Sequence, residues 1–467
     1  MTSKQASVWT LFVVSLAWLF TSSSLPLSSS DKAIGLPRTD CSSYQEPPPS
    51  RPLLRQFGEA AWSLLPTRVR TSLPSSIQEH LEGLGVPAWH RAGYQGQGIK
   101  IAILDSGFRT QAAARGKALP LDCIARSFRK DRQLEARDSQ HGVLCGEIIH
   151  RLAPRATLLI SNWEPETPDS FLEAVRWARQ SGAQIICCSV IMPTWSDGEG
   201  GGTIHARLRQ LLGEGTRAGD GLFFASAGNT AQRHWGGLFL PNQEGIHQWR
   251  PGVVENRLDP FGTERVSLEL TSSNLASGEL VLLENGQEKS RAVAAPLPCG
   301  VLGILLRFQP LKDRRYAVCL RNARARNPRE ALAFHLTVLG ARLQHSIQSG
   351  SIAFPGDGAE VTAVAAVDRR LQRQPYSSCG PIAGSAKPDL AAEVPVPSAW
   401  RTNLPFSGTS AAAPQAAALA ALIWSRHPSW CPQQVRLHQQ RTARRTDHTT
   451  AHNLETGYGV VCLDRLP

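Results

Sequence analysis

No Cys-x-x-Cys pair occurs in the 467 residues, although the chain carries ten cysteines. Zinc ribbons and thioredoxin-type redox sites therefore lack their spacing. After residue 20 there is no apolar run of the ~20 residues that a membrane-spanning helix needs. No Asp/Asn-rich loop has calcium-ligand spacing. Lysine is scarce, only 8 of the 50 basic residues, and the remainder are arginine. The net charge of +12 invites a nucleic-acid partner, but the basic residues are scattered. Their densest run, Arg436 to Arg445, has no interleaved aromatic residue for base stacking. Nucleic acid is not an expected partner. With 42% hydrophobic and 19% charged residues, the composition also excludes a disordered, collagenous or coiled-coil chain.

What is present begins with thirteen uncharged residues, Val8 to Phe20, behind Lys4. They fit the apolar core of an export signal. Residues 1–30 are read as a signal peptide or N-terminal anchor, which predicts a secreted or periplasmic, extracytoplasmic protein. No stable membrane span is expected unless that segment is retained as an anchor. Residues 31–85 read as an extension, pro-segment or linker, with the Pro-rich stretch Glu46 to Pro52 and a short helix near Ser75–Leu84.

From Gly98 the texture changes. GIKIAILDSG is an apolar strand closed by a turn, and HGVLCGEIIHRLAP has helical spacing stopped by Pro154. ATLLI, QIICCSV and GLFFASAGN follow as strands, separated by helices from Ser170 and from Ile204, the latter running to Gly219. Near-continuous apolar strands alternating with helices predict an α/β fold, a mostly parallel sheet with helices on both faces. The rhythm breaks over 236–345, where short strands with an Asn285-Gly286 hairpin signal predict an all-β, sandwich-like insertion. Cys299 and Cys319, on neighbouring strand candidates, are positioned in sequence to staple it in an oxidising compartment. Adjacent Cys187 and Cys188 read as small buried residues. The α/β texture returns with Glu360–Asp368 and an Ala-rich helix from Ser410. The expected parts are thus 86–235 and 346–467 for one α/β domain, with 236–345 between them.

Three polar residues fall where such a sheet keeps its active site, at strand ends and the turns beyond. Asp105 ends the first strand, His141 begins one helix and Ser410 begins another. Singly, each is most often an Asx-turn, a solvated histidine or an N-cap. Their order, each in an extended context and with ASAGN ending at Asn229, is far more specific. His205 and His234 read as surface or structural, because no partner lies at ligand spacing.

The segments GQGIKIAILDSG, SQHGVLCGEIIHRLAPRATL, GLFFASAGNTA, YSSCGPIAGSAKPDLAA and FSGTSAAAPQAAALAALI resemble the subtilase (subtilisin-like serine peptidase) family. The resemblance implies a serine endopeptidase acting through an acyl-enzyme. Ser410 would be the nucleophile, His141 the general base, Asp105 its orienting carboxylate and Asn229 the oxyanion donor. Ser189 and Val190 match the strand edge on which family members pair an extended peptide. Peptide or protein is the implied substrate. No cofactor is identified, no metal site is expected among the candidate residues, and a family-type structural calcium has no locatable ligands. An acyl transferase using the same site and a non-catalytic peptide-binding scaffold are the alternatives. The sequence departs from the family pattern at Val143, at Ile191-Met192-Pro193, at Ala411 and at Gln415; none of these removes a catalytic atom.

Overall fold

The computed structural model describes residues 73–135, 139–272, 277–322, 332–382, 385–401, 404–446 and 452–466. The segment read as an export signal, Cys41 and most of the 31–85 extension lie outside these residues. Helices α1 (Leu73–Gly83) and α2 (Val86–Arg91) come first. Then follow β1 (Lys100–Leu104), α3 (Gln111–Ala114), β2 (Ile124–Phe128), α4 (His141–Leu152) and β3 (Thr157–Trp163). They lead to α5 (Pro168–Gln180), β4 (Ile185–Cys188), α6 (Thr203–Leu212) and β5 (Leu222–Ser226).

The next ten strands are β6 (His234–Leu238), β7 (Asn256–Pro260), β8 (Val266–Ser272), β9 (Gly278–Glu284) and β10 (Gln287–Val293), then β11 (Ala295–Pro296), β12 (Leu302–Phe308), β13 (Tyr316–Asn322), β14 (Ala333–Leu339) and β15 (Ala341–Leu343). β16 (Thr362–Val367), β17 (Leu390–Glu393), α7 (Thr409–Arg426) and α8 (Pro432–Thr442) complete the chain.

Seven strands form one parallel sheet in the order β17-β16-β5-β4-β1-β3-β2. The side chains of β1 alternate between two cores. Ile101 and Ile103 join the layer of α4 and α7, whereas Ala102 and Leu104 join that of α5 and α6. Helices therefore cover both faces, as the unbroken apolar strands demand. The chain moves from β3 on one side of β1 to β4 on the other, so the carboxyl end of β1 is a topological switch point. Helix α6 stops at Leu212, short of the expected Gly219, because Gly213 takes a left-handed φ of 81°.

The insertion is a sandwich of two antiparallel five-stranded sheets, β10-β9-β13-β7-β15 and β11-β12-β8-β14-β6. One shared core includes Leu268 and Leu270 of β8, Leu280 and Leu282 of β9, and Phe334 and Leu336 of β14. The Asn285-Gly286 hairpin joins β9 to β10 with positive φ at both turn residues. β6 starts at His234, so the first sandwich strand begins before the expected boundary at 236. Cys299 and Cys319 are not bridged. Cys299 is buried in the α5/α6 core, Cys319 packs with Val281 and Leu283, and both thiols are free. Among the described residues no helix is long and apolar enough to cross a membrane.

Candidate active site

Asp105 directly follows β1, and its N–H extends the ladder to Ser161 O at 3.0 Å. The carboxylate is fully buried and accepts from the Ser106 N–H at 2.8 Å. His141 opens α4, with its own N–H donating to Ser139 Oγ at 2.9 Å. His141 Nδ1 meets Asp105 Oδ1 at 2.9 Å and Oδ2 at 2.8 Å. That pairing engages Nδ1 and leaves Nε2 as the ring's other nitrogen. Burial pulls the imidazole pKa down, but the Asp105 carboxylate outweighs it and holds the value well above the ordinary 6.5. The start of α4 sits unusually close to the loop after β1. A Cβ on Gly142 would lie 2.5 to 2.7 Å from the Phe108 ring.

Ser410 is the second residue of α7, and 5% of it is exposed. Pro414, four residues on, has no N–H to give the Ser410 carbonyl. That carbonyl instead accepts from Ser189 Oγ at 3.2 Å and Cys145 Sγ at 3.6 Å. The helix-breaking residue thus frees an acceptor that ties α7 to the end of β4 and to α4. The Ser410 hydroxyl donates to Ser189 O at 3.3 Å and not to His141. Hydroxyl–imidazole contacts commonly tighten only with substrate bound. Asn229 Oδ1 accepts from both the N–H and the hydroxyl of Thr409 at 3.0 Å, which orients the amide beside Ser410. Gly408 has a φ of 89°, and a Cβ there would sit 3.0 Å from Asn229 Nδ2. Glycine is required on both counts.

A cavity of about 110 Å³ gathers His141, Ser189, Val190, Asn229 and Ser410 on one surface. Ser189 and Val190 lie just past β4, not within it, and both are buried. Asp105 reaches the cavity only through His141. The far wall comes from the sandwich and its approach: Arg233, Phe261, Glu264, Arg265, Leu339 and Gly340. A second cavity lies across Val190 and Ile191, with Trp163, Met192 and Trp195 facing Glu269 and Arg307 of the insertion. Leu339 belongs to both cavities and packs on Ile191 and Ala353. One family departure is thereby accounted for: Ile191 is covered by the inserted module.

Sequence reasoning missed Cys145, whose signal was its position one turn after His141. Its Sγ lies 3.8 Å from Asp105 Oδ2, and burial pushes its pKa up to about 12, so it remains a thiol. Asp105, His141 and Cys145 offer donor atoms within 4.8 Å of one another. They form a hydrogen-bonded stack, with the carboxylate already engaged by His141 and Ser106. Of the surface and structural readings of His205 and His234, the structural one holds, since both are buried. His205 Nε2 meets Asp357 Oδ1 at 2.9 Å and its Nδ1 meets Glu360 Oε1 at 2.7 Å, partners more than 150 residues away.

A family model of the subtilases matches residues 96–248 and 344–459, more than half of the chain. The chain belongs to the subtilase family. The unmatched stretch of this subtilase between those segments falls within the sandwich insertion. Alkaline elastase YaB of Bacillus sp. (strain YaB) is 33% identical over 102 residues, 22% of this chain and 26% of that protein. Subtilisin Savinase of Lederbergia lenta is 34% identical over 95 residues, 20% of this chain and 35% of that protein. The matched stretches thus span about a quarter to a third of these relatives' own length. Among solved structures, the CspB protease of Clostridium perfringens aligns with a TM-score of 0.58 at 14% identity, covering 82% of this chain and 97% of that one. At that identity the likeness is one of fold.

Proposed function

We propose that this subtilase is a serine endopeptidase that hydrolyses peptide bonds through an acyl-enzyme on Ser410. The observation that carries the reading is the convergence of His141, Asn229 and Ser410 on one cavity, with Asp105 hydrogen-bonded behind His141. A serine hydroxyl is inert at neutral pH and needs a base as it attacks. His141 Nε2 takes the proton from Ser410 Oγ as the oxygen bonds to the acyl carbon, and returns it to the leaving amine. Asp105 holds the Nδ1–H tautomer and stabilises the imidazolium. The tetrahedral oxyanion is met by the Asn229 side-chain amide and by backbone donors at the start of α7. Water then attacks the acyl-enzyme with His141 again as base. Ser189 and Val190 form the edge on which an extended peptide adds as a strand.

The substrate in this reading is peptide or protein and not nucleic acid, no cofactor takes part, and the N-terminal apolar segment directs export from the cytoplasm. Mass spectrometry of products, formed from one peptide with and without an added amine nucleophile, tests the reaction class. Two free fragments in both samples are expected. Fragments joined to the amine as the main product would make it an acyl transferase.

A further inference from the structure

Arg233 lies four residues after Asn229, between the catalytic turn and β6. Its backbone is pinned on both sides: its N–H donates to Thr230 O, and its carbonyl accepts from the Val338 N–H, each at 2.8 Å. Its guanidinium stacks over Phe261, 4.7 Å from the ring centroid, and both side chains line the cavity that contains Ser410 and Asn229. Among the described residues no carboxylate pairs with it. Burial and the neighbouring Arg342 push its pKa down to about 10, so it stays charged at neutral pH. Two other charged side chains share this wall. Arg265 lies 3.9 Å from Glu166, and Glu264 stands exposed at the mouth. A half-buried guanidinium, held flat by an aromatic ring, presents its N–H fork to a planar anion. Among the described residues Glu264 is the one carboxylate lining the cavity, and it is not paired with Arg233.

We propose that Arg233 makes this enzyme selective for an acidic side chain, glutamate or aspartate, on the substrate residue whose carbonyl is attacked. That side chain branches one bond from the carbon that joins Ser410 Oγ, so its carboxylate enters the same cavity. The carboxylate of a bound substrate supplies the paired counter-charge that Arg233 lacks. The inference rests on the peptidase reading and adds its substrate class.

The test uses two peptides identical except for Glu or Gln at the scissile residue, isosteric side chains that differ in charge. Wild-type kcat/KM is expected to favour Glu by about tenfold or more, the scale of one charge-assisted pair. Arg233→Gln should bring the ratio to about one. The ratio is read within one preparation, so a change in folded fraction cancels. Glu264→Gln, which removes the acidic group at the mouth, should raise the ratio and keeps the test open should Arg233→Gln fail to fold. A wild-type ratio at or below one, a ratio that Arg233→Gln leaves standing, or no rise in Glu264→Gln overturns the proposal. A wild type that cleaves neither these peptides nor a mixed peptide library overturns the peptidase reading with it.

Discussion

At the residue scale the Asp105–His141 pair has a measurable signature. His141 must be neutral to act as a base, and Asp105 holds its pKa well above 6.5. The kcat/KM profile should therefore climb with pH through one ionisation whose midpoint lies above 6.5; a midpoint at or below 6.5, or a flat profile from pH 5 to 9, contradicts the pairing. Asn229→Ala should lower kcat by about 10²–10³-fold, the magnitude found for removing such a donor in subtilisin itself. Gly408→Ala should act in the same direction, because its Cβ would displace the Asn229 amide while straining a left-handed backbone. Steady-state kinetics with KM nearly unchanged in Asn229→Ala would place the loss in the transition state. Another departure from the family, Gln415, is also resolved at this scale. It is buried and bonds His80 of α1 at 2.9 Å, together with the carbonyls of Glu393 and Ala411.

At the scale of elements, the residues legible from sequence were those at strand and helix ends. Asp105, His141, Asn229 and Ser410 each carry a local motif, and the alternation of apolar strands with helices placed those ends on one edge. The partners invisible in sequence are joined by tertiary contact alone. Arg233 lies just past the Asn229 motif but carries no signal of its own, Phe261 is far from any motif, Leu339 reaches Ile191 across nearly 150 residues, and His205 meets Asp357 and Glu360 only in the fold. The His205 cluster ties α6 to the loop that follows the insertion. Its pKa is pulled down by burial yet raised on balance to about 9 by the two carboxylates. A folded value above 6.5 means that this contribution is complete below about 6.5 and is lost as pH rises toward about 9. Thermal melts of wild type should fall in Tm over that window, and His205→Gln should lack the slope; parallel profiles would refute the assignment.

At the scale of the whole molecule, the insertion is part of the cleft. Polar residues of β8, Ser267 and Glu269, face the second cavity, while the alternate Leu268 and Leu270 fill the sandwich core. Arg307 of β12 and Arg265 pair with Glu166 in the loop after β3, bridging the two parts of the chain. Replacing residues 234–343 by a Gly/Ser linker should leave a folded α/β core, destabilised by about 2 kcal/mol for the exposure of Ile191 alone. The distribution of cut sites in a mixed protein digest should change, because both cavities lose a wall. An identical distribution would make the module irrelevant to substrate choice.

The central claim, that Ser410 is the nucleophile activated by His141, is tested most directly by labelling with a fluorophosphonate probe and locating the modified residue by peptide mapping. Wild type should carry one adduct, on Ser410, and folded Ser410→Ala and His141→Ala should carry essentially none. An adduct on another residue, or undiminished labelling of Ser410→Ala, would contradict the account.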